Sequence, residues 1–300
     1  MKRKALMGAI AAAGLLASVG GAWASPGLME LAVRSGFWSN QFPDTTIMLQ
    51  HLYYNQYDKA WDDGGDKQDT GIGKVKVTAN FTRLIRPWHF GDQKQYQFIL
   101  EAILPFANAS WDGDTGVDAG FQSGMMDPML YLAQGWNNAD KTTHVQAALV
   151  VRFPFGNDTD RGLGVPLLAT DAYAFQPILA IQQHFGSMFS VDGSLSYQIE
   201  TKQLNGSENK GKNYFELNLI PSVNLGSGWD VFVQYDYVNY QKSQTGGEDN
   251  DDAGYNHCVA LGVDNWFRPN MQLGLKFEQD VKGKNTAKSQ GFNLRYLWIF

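Results

Sequence analysis

The sequence predicts an all-β protein, a transmembrane antiparallel up-and-down β-barrel of about twelve strands. Three observations predict it. Segment after segment alternates apolar and polar residues with a period of two. The connections between these segments alternate between compact turns and longer, acidic loops. The chain closes on an aromatic residue at the end of one such segment, Phe300.

The two ends frame the argument. Lys2, Arg3 and Lys4 precede an uncharged apolar run from Leu6 to Gly20, and Ala22-Trp23-Ala24 places small residues where a signal peptidase reads. Residues 1–24 therefore read as a cleaved export signal. A membrane-anchoring helix needs roughly 20 apolar residues, and this run is shorter and interrupted by glycine. At the other end Phe292, Leu294, Tyr296, Trp298 and Phe300 share one face of a strand. A soluble edge this apolar would promote aggregation. Lipid contact removes that difficulty, and Tyr296, Trp298 and Phe300 are the expected assembly signal read by the barrel-assembly machinery of an outer membrane.

Composition agrees. Without the leader and its three basic residues, the 24 basic and 30 acidic residues of the chain leave a mature net charge of −9. That balance argues against nucleic acid as a partner. Mean hydropathy is only −0.31 although 13% of residues are aromatic, as expected when half of each strand faces lipid and half a polar interior. The single cysteine, Cys258, excludes an internal disulfide and any multi-cysteine metal site.

Alternation and turn residues place strands near 46–56, 72–84, 95–106, 127–136, 143–155, 172–183, 188–200, 213–225, 229–240, 255–266, 270–280 and 289–300. Each reaches the 9–11 residues, roughly, of a tilted spanning strand. Phe189, Val191, Leu195, Tyr197 and Ile199 oppose Ser190, Asp192, Ser194, Ser196 and Gln198. Met271, Leu273, Leu275 and Phe277 oppose Gln272, Gly274, Lys276 and Glu278. From a periplasmic start, even connections should be short internal turns: 86–94, 137–141, 185–187, 226–228 and 267–270. Odd ones should be longer external loops, such as 58–71, 107–126, 156–171 and 241–254. Five of the eight mature tryptophans (Trp88, Trp136, Trp229, Trp266, Trp298) fall beside the periplasmic turns or terminus, where an apolar ring with a polar N–H belongs. The barrel is expected over 46–300. An N-terminal segment over 25–45 lies in the periplasm or the lumen, with Leu28, Leu31 and Ala32 at the spacing of a short helix within 25–42.

Strand parity points Glu101, Arg152, Asp192, Glu216, Asp236, Asp264, Lys276 and Arg295 into the lumen. Two readings of them stay open: a mutually paired network that fills a narrow barrel, or a polar path that orients a solute. Their mixed sign argues against an ion-selective porin, whose lumen carries rings of one charge. Barrels of about eight strands are filled by side chains, and those of about 16–18 hold an open aqueous channel. Twelve lies between, with Ile99, Ile103, Ile178, Phe232 and Val238 inward and suited to a greasy solute.

Three short stretches resemble a known family, outer-membrane barrels assigned to transport in the meta-cleavage pathway of phenol degradation. Gly124-Met125-Met126-Asp127-Pro128 is similar to the family's Gly-Asp-Pro strand entry, with Met126 where glycine is usual. Arg152-Phe153-Pro154-Phe155-Gly156 resembles its strand ending in a basic residue, an apolar residue, Pro, a further residue and Gly. Leu163-Gly164 resembles a Leu-Gly pair that follows. The resemblance implies import of small hydrophobic or aromatic compounds. Taken alone, the prolines at strand ends and Gly156 also have a structural reading, since neither a missing donor nor a sharp exit harms a strand terminus.

Two other classes remain. Some twelve-stranded barrels are lipid hydrolases, which need a serine beside an oriented histidine. His89 and His184 fall at periplasmic turns, and His51, His144 and His257 lie in no stretch like that of outer membrane phospholipase A. The third class is a sealed structural barrel. The sequence shows no metal-ligand histidine pair and no phosphate-binding glycine loop, so neither a cofactor nor a metal nor a catalytic residue is expected. The acidic runs at Asp62, Asp63, Asp66 and Asp69 and at Glu248, Asp249, Asp251 and Asp252 lack EF-hand spacing. The expected partners are outer-membrane lipids, lipopolysaccharide and a small hydrophobic solute, bound by a monomer.

Overall fold

The computed structural model describes residues 44–69, 73–113, 119–156, 170–204, 206 and 208–300. The sequence readings at 1–24, at 25–42 and at Leu163-Gly164 lie outside the described residues. Among the described residues every regular element is a strand: β1 (Ile47–Trp61), β2 (Lys67–Asp69), β3 (Val75–Phe90), β4 (Tyr96–Trp111), β5 (Gly120–Met125), β6 (Met129–Asn137), β7 (Thr143–Arg152), β8 (Ala174–Phe185), β9 (Phe189–Glu200), β10 (Tyr214–Gly226), β11 (Trp229–Tyr240), β12 (Gln244–Thr245), β13 (Glu248–Asp249), β14 (Gly254–Arg268), β15 (Met271–Lys284) and β16 (Thr286–Ile299).

Twelve of these form one closed antiparallel barrel, in the order β1, β3, β4, β6, β7, β8, β9, β10, β11, β14, β15, β16. The seam is the pairing of β1 with β16, from Ile47↔Ile299 to Trp61↔Thr286. Closure matters because backbone N–H and C=O groups in hydrocarbon have no water to bond, so a spanning sheet cannot leave an edge. The last residue tightens the seam. Phe300 N donates to Thr46 O at 3.0 Å, and Thr45 Oγ1 donates to Phe300 O at 2.5 Å.

Side chains divide by parity. On β4, Phe98, Leu100, Leu104 and Phe106 are exposed, while Gln97, Ile99, Glu101 and Ile103 between them are buried. The same division runs through β9, β11 and β15, where Leu195, Val233 and Leu275 point outward and Ser196, Gln234 and Lys276 inward. The exposed apolar residues form the lipid belt. The buried set is rich in polar and charged groups, inverting a soluble core.

Four details correct the sequence reading. The strands are longer than apolar alternation indicates. β3 and β4 stay paired up to Val75↔Trp111, past the outward Thr78, Asn108 and Ser110, because a ladder persists above the lipid wherever its inner face (Ala107, Ala109, Trp111) still packs. The stretch 107–126 holds β5, which folds back on β4, and 241–254 holds the β12–β13 hairpin. The last external connection is extended rather than looped: beyond Gln279↔Gln290, where β15 and β16 part, β15 continues along β14 and β16 along β1, and the two meet at Asn285, at φ +48°, a left-handed position asparagine tolerates. Trp266 turns inward and lines the periplasmic mouth instead of the lipid interface, whereas Trp88, Trp136 and Trp229 are exposed on the outer face.

Candidate functional site

The lumen has three levels. At its external mouth, Asp127 sits in the break between β5 and β6 where β4 changes partner. Pro128 has no N–H for a ladder, so the strand breaks there and the Asp127 carboxylate is free to bond the loops. It accepts from Gly156 N at 3.1 Å, Thr170 N at 3.0 Å and Thr170 Oγ1 at 2.9 Å. One carboxylate thus holds both described ends of the β7–β8 connection. Arg152 at the end of β7 lies 3.7 Å from Asp127 and 2.5 Å from Glu200 on β9. Nearby Lys212 donates to Asp252 O at 2.6 Å beneath the β11–β14 connection. Its enclosure lowers the ammonium pKa, and the Asp252 carboxylate opposes that shift.

The middle level joins an apolar wall to enclosed ion pairs. Ile47, Leu49, Ile85, Ile99, Ile178 and Leu297 pack together on the inner surface. Beside them Arg83 on β3 and Glu101 on β4 form a fully enclosed ion pair. Farther along the same wall, beyond β1, Arg295 on β16 pairs with Asp264 on β14. Lys276 lies 2.9 Å from Glu278 and donates to Gln234 at 3.2 Å. Gln234 in turn donates to Asp236 at 2.9 Å, which also accepts from Asn218. Glu216 is buried with no hydrogen-bond partner for either carboxylate oxygen among the described residues. Glycine makes room for several of these groups. The Phe232 ring lies over Gly262, and the Asp264 and Arg295 side chains lie over Gly274, where a Cβ would displace them.

The periplasmic mouth opens as a cavity of about 280 Å³ lined by His184, Asp192, Asp230, Asp264, Trp266 and Gln272 among others. Gln182 donates to Asp192 at 2.7 Å, and the His184 ring contacts Gln182 at 3.1 Å. At the rim, His89 donates its backbone N–H to Asp44 at 2.9 Å and its ring lies 2.6 Å away. The ring contact is the largest cause holding the Asp44 carboxyl below its usual range.

All eight charged residues singled out from the sequence lie on the inner side, and Arg295 and Asp264 pair directly. Lys276 and Asp236 meet through Gln234. Glu101, Arg152 and Asp192 take partners outside these eight: Arg83, Glu200 with Asp127, and Gln182. Parity on β3, where Val75, Val77, Ala79 and Phe81 are inward, would have found Arg83. The partner across the wall needs the register as well. Tyr296 and Trp298 lie on the outer face with Phe300, the last two rings stacked 4.6 Å apart. The described ring partners of the histidines are amides, a carboxylate and a tyrosine hydroxyl: Asn293 for His51, Asp44 and Gln97 for His89, Asn137 and Gln146 for His144, Gln182 for His184 and Tyr235 for His257.

With this geometry in place, comparison with known proteins is decisive at one point. The model of a family described as "Putative MetA-pathway of phenol degradation" matches residues 58–296. The chain belongs to this family. No curated protein matches it in sequence. Among solved structures, an outer membrane channel from Pseudomonas putida F1 superposes with a TM-score of 0.77 at 19% identity, covering 86% of this chain and 96% of the other. The translocator domain of the autotransporter NalP from Neisseria meningitidis gives 0.54 at 10% identity, with 91% and 94% covered. CymD, a monoaromatic hydrocarbon channel, gives 0.50 at 7% identity, with 87% and 90% covered. At such identities these likenesses concern the fold, which is that of outer-membrane barrels. The family member described here has the same closed wall and an apolar belt.

Proposed function

We propose that this barrel passes small hydrophobic compounds, aromatic ones included, across the outer membrane. The observation that carries the reading is the apolar inner wall of Ile47, Leu49, Ile85, Ile99, Ile178 and Leu297 inside a closed barrel, above a cavity that opens at the periplasmic rim. Membership in a phenol-degradation family and the fold shared with a monoaromatic hydrocarbon channel support it. A solute enters between the external loops, parts the closely packed side chains of the apolar wall, and leaves to the periplasm or sideways into lipid. No covalent step belongs to this mechanism. In this reading Glu101, Arg152, Asp192, Glu216, Asp236, Asp264, Lys276 and Arg295 border the solute path. Residues 1–24 are removed on export, 25–45 lie at the periplasmic side or within the lumen of the 46–300 barrel, and a monomer suffices.

Uptake of a radiolabelled monoaromatic compound by a deletion strain, with and without plasmid-borne protein, tests this together with conductance in planar bilayers. Restored uptake supports the proposal. Unchanged uptake and no conductance overturn it in favour of a sealed barrel, a reading to which the enclosed Arg83–Glu101 pair gives specific weight. Release of fatty acid from phospholipid, abolished by a histidine substitution, would replace it with a hydrolase.

A further inference from the structure

The outer face carries a site that solute passage does not require. Leu217 on β10, Tyr235 and Tyr237 on β11, and Tyr255 and His257 on β14 line an open groove of about 340 Å³. These residues alternate with the buried Glu216, Gln234, Asp236, Asn256 and Cys258, so they face away from the lumen. The register sets Leu217 beside Tyr237, and Tyr237 beside His257. The His257 ring is the hub. Its Nδ1 lies 2.7 Å from the Tyr235 hydroxyl, with the Tyr237 and Tyr255 rings at 4.9 and 5.4 Å. Toward the membrane centre the groove runs onto exposed Leu219, Val233, Val259 and Leu261. On its external side Asn239 donates to the Tyr237 hydroxyl at 3.1 Å. The groove therefore straddles the boundary between hydrocarbon and head groups in the outer leaflet, where amphipathic rings are stable.

A row of cations borders it. Lys282 pairs in register with His257 and holds its ammonium 5.9 Å from the Tyr255 ring. Lys288 lies three residues beyond the Asn285 turn, as Lys282 lies three before it. Lys59 on β1 stands directly opposite Lys288 across the seam. Like charges opposed in this way destabilise a sheet; on its other side Lys59 stands in register with Asp69 of β2, although the two make no ion pair within 4 Å. Elsewhere on the external rim, Lys76, Lys202, Lys242 and Lys284 each have a carboxylate within 4 Å, while Lys67, Lys74 and Lys210 have no ion pair among the described residues but stand apart from the groove. Lys59, Lys282 and Lys288 have no ion-pair partner among the described residues. In a chain of net charge −6, three unpaired lysines on consecutive strands beside an apolar groove fit a ligand that is anionic at one end and acylated at the other.

We propose that this face binds lipid A, the phosphorylated and multiply acylated glycolipid of the outer leaflet. An acyl chain lies along Leu217, Tyr235, Tyr237 and Leu261, and the phosphates meet Lys59, Lys282 and Lys288. The inference needs only the barrel's place in an outer membrane and not the transport reading.

The test is a titration of the purified, refolded barrel in detergent with diphosphoryl lipid A, dephosphorylated lipid A and phosphatidylglycerol, read by native mass spectrometry. Lys59→Gln/Lys282→Gln/Lys288→Gln should weaken diphosphoryl lipid A roughly tenfold or more and leave the dephosphorylated form unchanged. Tyr237→Ala/His257→Ala should weaken both forms. All three lysines lie at the surface, so the triple variant keeps the barrel's heat-modifiable gel mobility even where the groove variant misfolds. Equal lipid A affinity in the triple variant, or phosphatidylglycerol binding as tightly as lipid A, overturns the proposal. Solute conductance, measured on the same variants, should not move, which keeps this outcome separate from that of the transport reading.

Discussion

Replacing Arg83 with Met, or Glu101 with Gln, asks whether the middle of the lumen is dry. Both side chains have zero solvent exposure. In such a place the partner is the main offset to the desolvation cost of each ion, so deleting either leaves a buried charge without its counter-ion. That costs about 3–5 kcal/mol. In a water-filled path the same pair would be screened, and each deletion would cost about 1 kcal/mol or less. The double variant Arg83→Met/Glu101→Gln removes both charges together and should recover about 1–3 kcal/mol of the summed single losses. Chemical unfolding of the barrel from lipid vesicles, followed by tryptophan fluorescence, measures all three. Single losses below about 1 kcal/mol with additive behaviour would refute the enclosed pair and leave a continuous polar path in its place.

Three further outcomes follow from the same geometry. Asp127→Ala removes the acceptor of three hydrogen bonds that hold both described ends of the β7–β8 connection. We expect a loss of about 2–4 kcal/mol and faster proteolysis between 157 and 169, and an unchanged cleavage rate would count against the anchor. Deleting Phe300 should lower the yield of folded barrel in cells and leave refolding into detergent intact; equal loss in both would make the residue merely structural. The Asp44–His89 contact holds the Asp44 carboxyl below its usual range. A depressed carboxylate stabilises the folded state above the ordinary carboxylate pKa, and this contribution is lost as pH falls through the depressed value. Protection factors at 44–46, referred to the intrinsic exchange rate at each pH, should therefore fall only as pH drops below the ordinary carboxylate pKa of about 4, with no such fall in Asp44→Asn.

What the sequence showed and what it hid divide along physical lines. β9, β11 and β15 were legible because lipid on one side and a polar lumen on the other impose strict alternation on every residue. The turn at 226–228 was legible because Gly226, Ser227 and Gly228 all take positive φ. The external ends were hidden. Above the lipid no apolar pattern is required, so the upper parts of β3 and β4 read as loop, and the strand ends on either side of Asn285 read as a gap between shorter strands. In the lumen, parity placed each charge on the inner face but said nothing of its neighbour across the wall. Arg83 meets Glu101 through one register, and the β1–β16 seam brings together residues from opposite ends of the chain. The aromatic cluster at His257 escaped notice for the same reason, since its members come from three strands and from both sides of the β12–β13 hairpin.

The division between lipid and lumen can be measured residue by residue. Nitroxide labels placed singly along 255–266 of β14, in protein reconstituted into bilayers, report collisions with oxygen dissolved in lipid and with a water-soluble nickel chelate. The account predicts a period of two, with oxygen maxima at Val259, Leu261 and Val263 and minima at Cys258, Ala260 and Gly262. A flat profile, or nickel access at Leu261 as high as at a label on the exposed external Asp251, would contradict it.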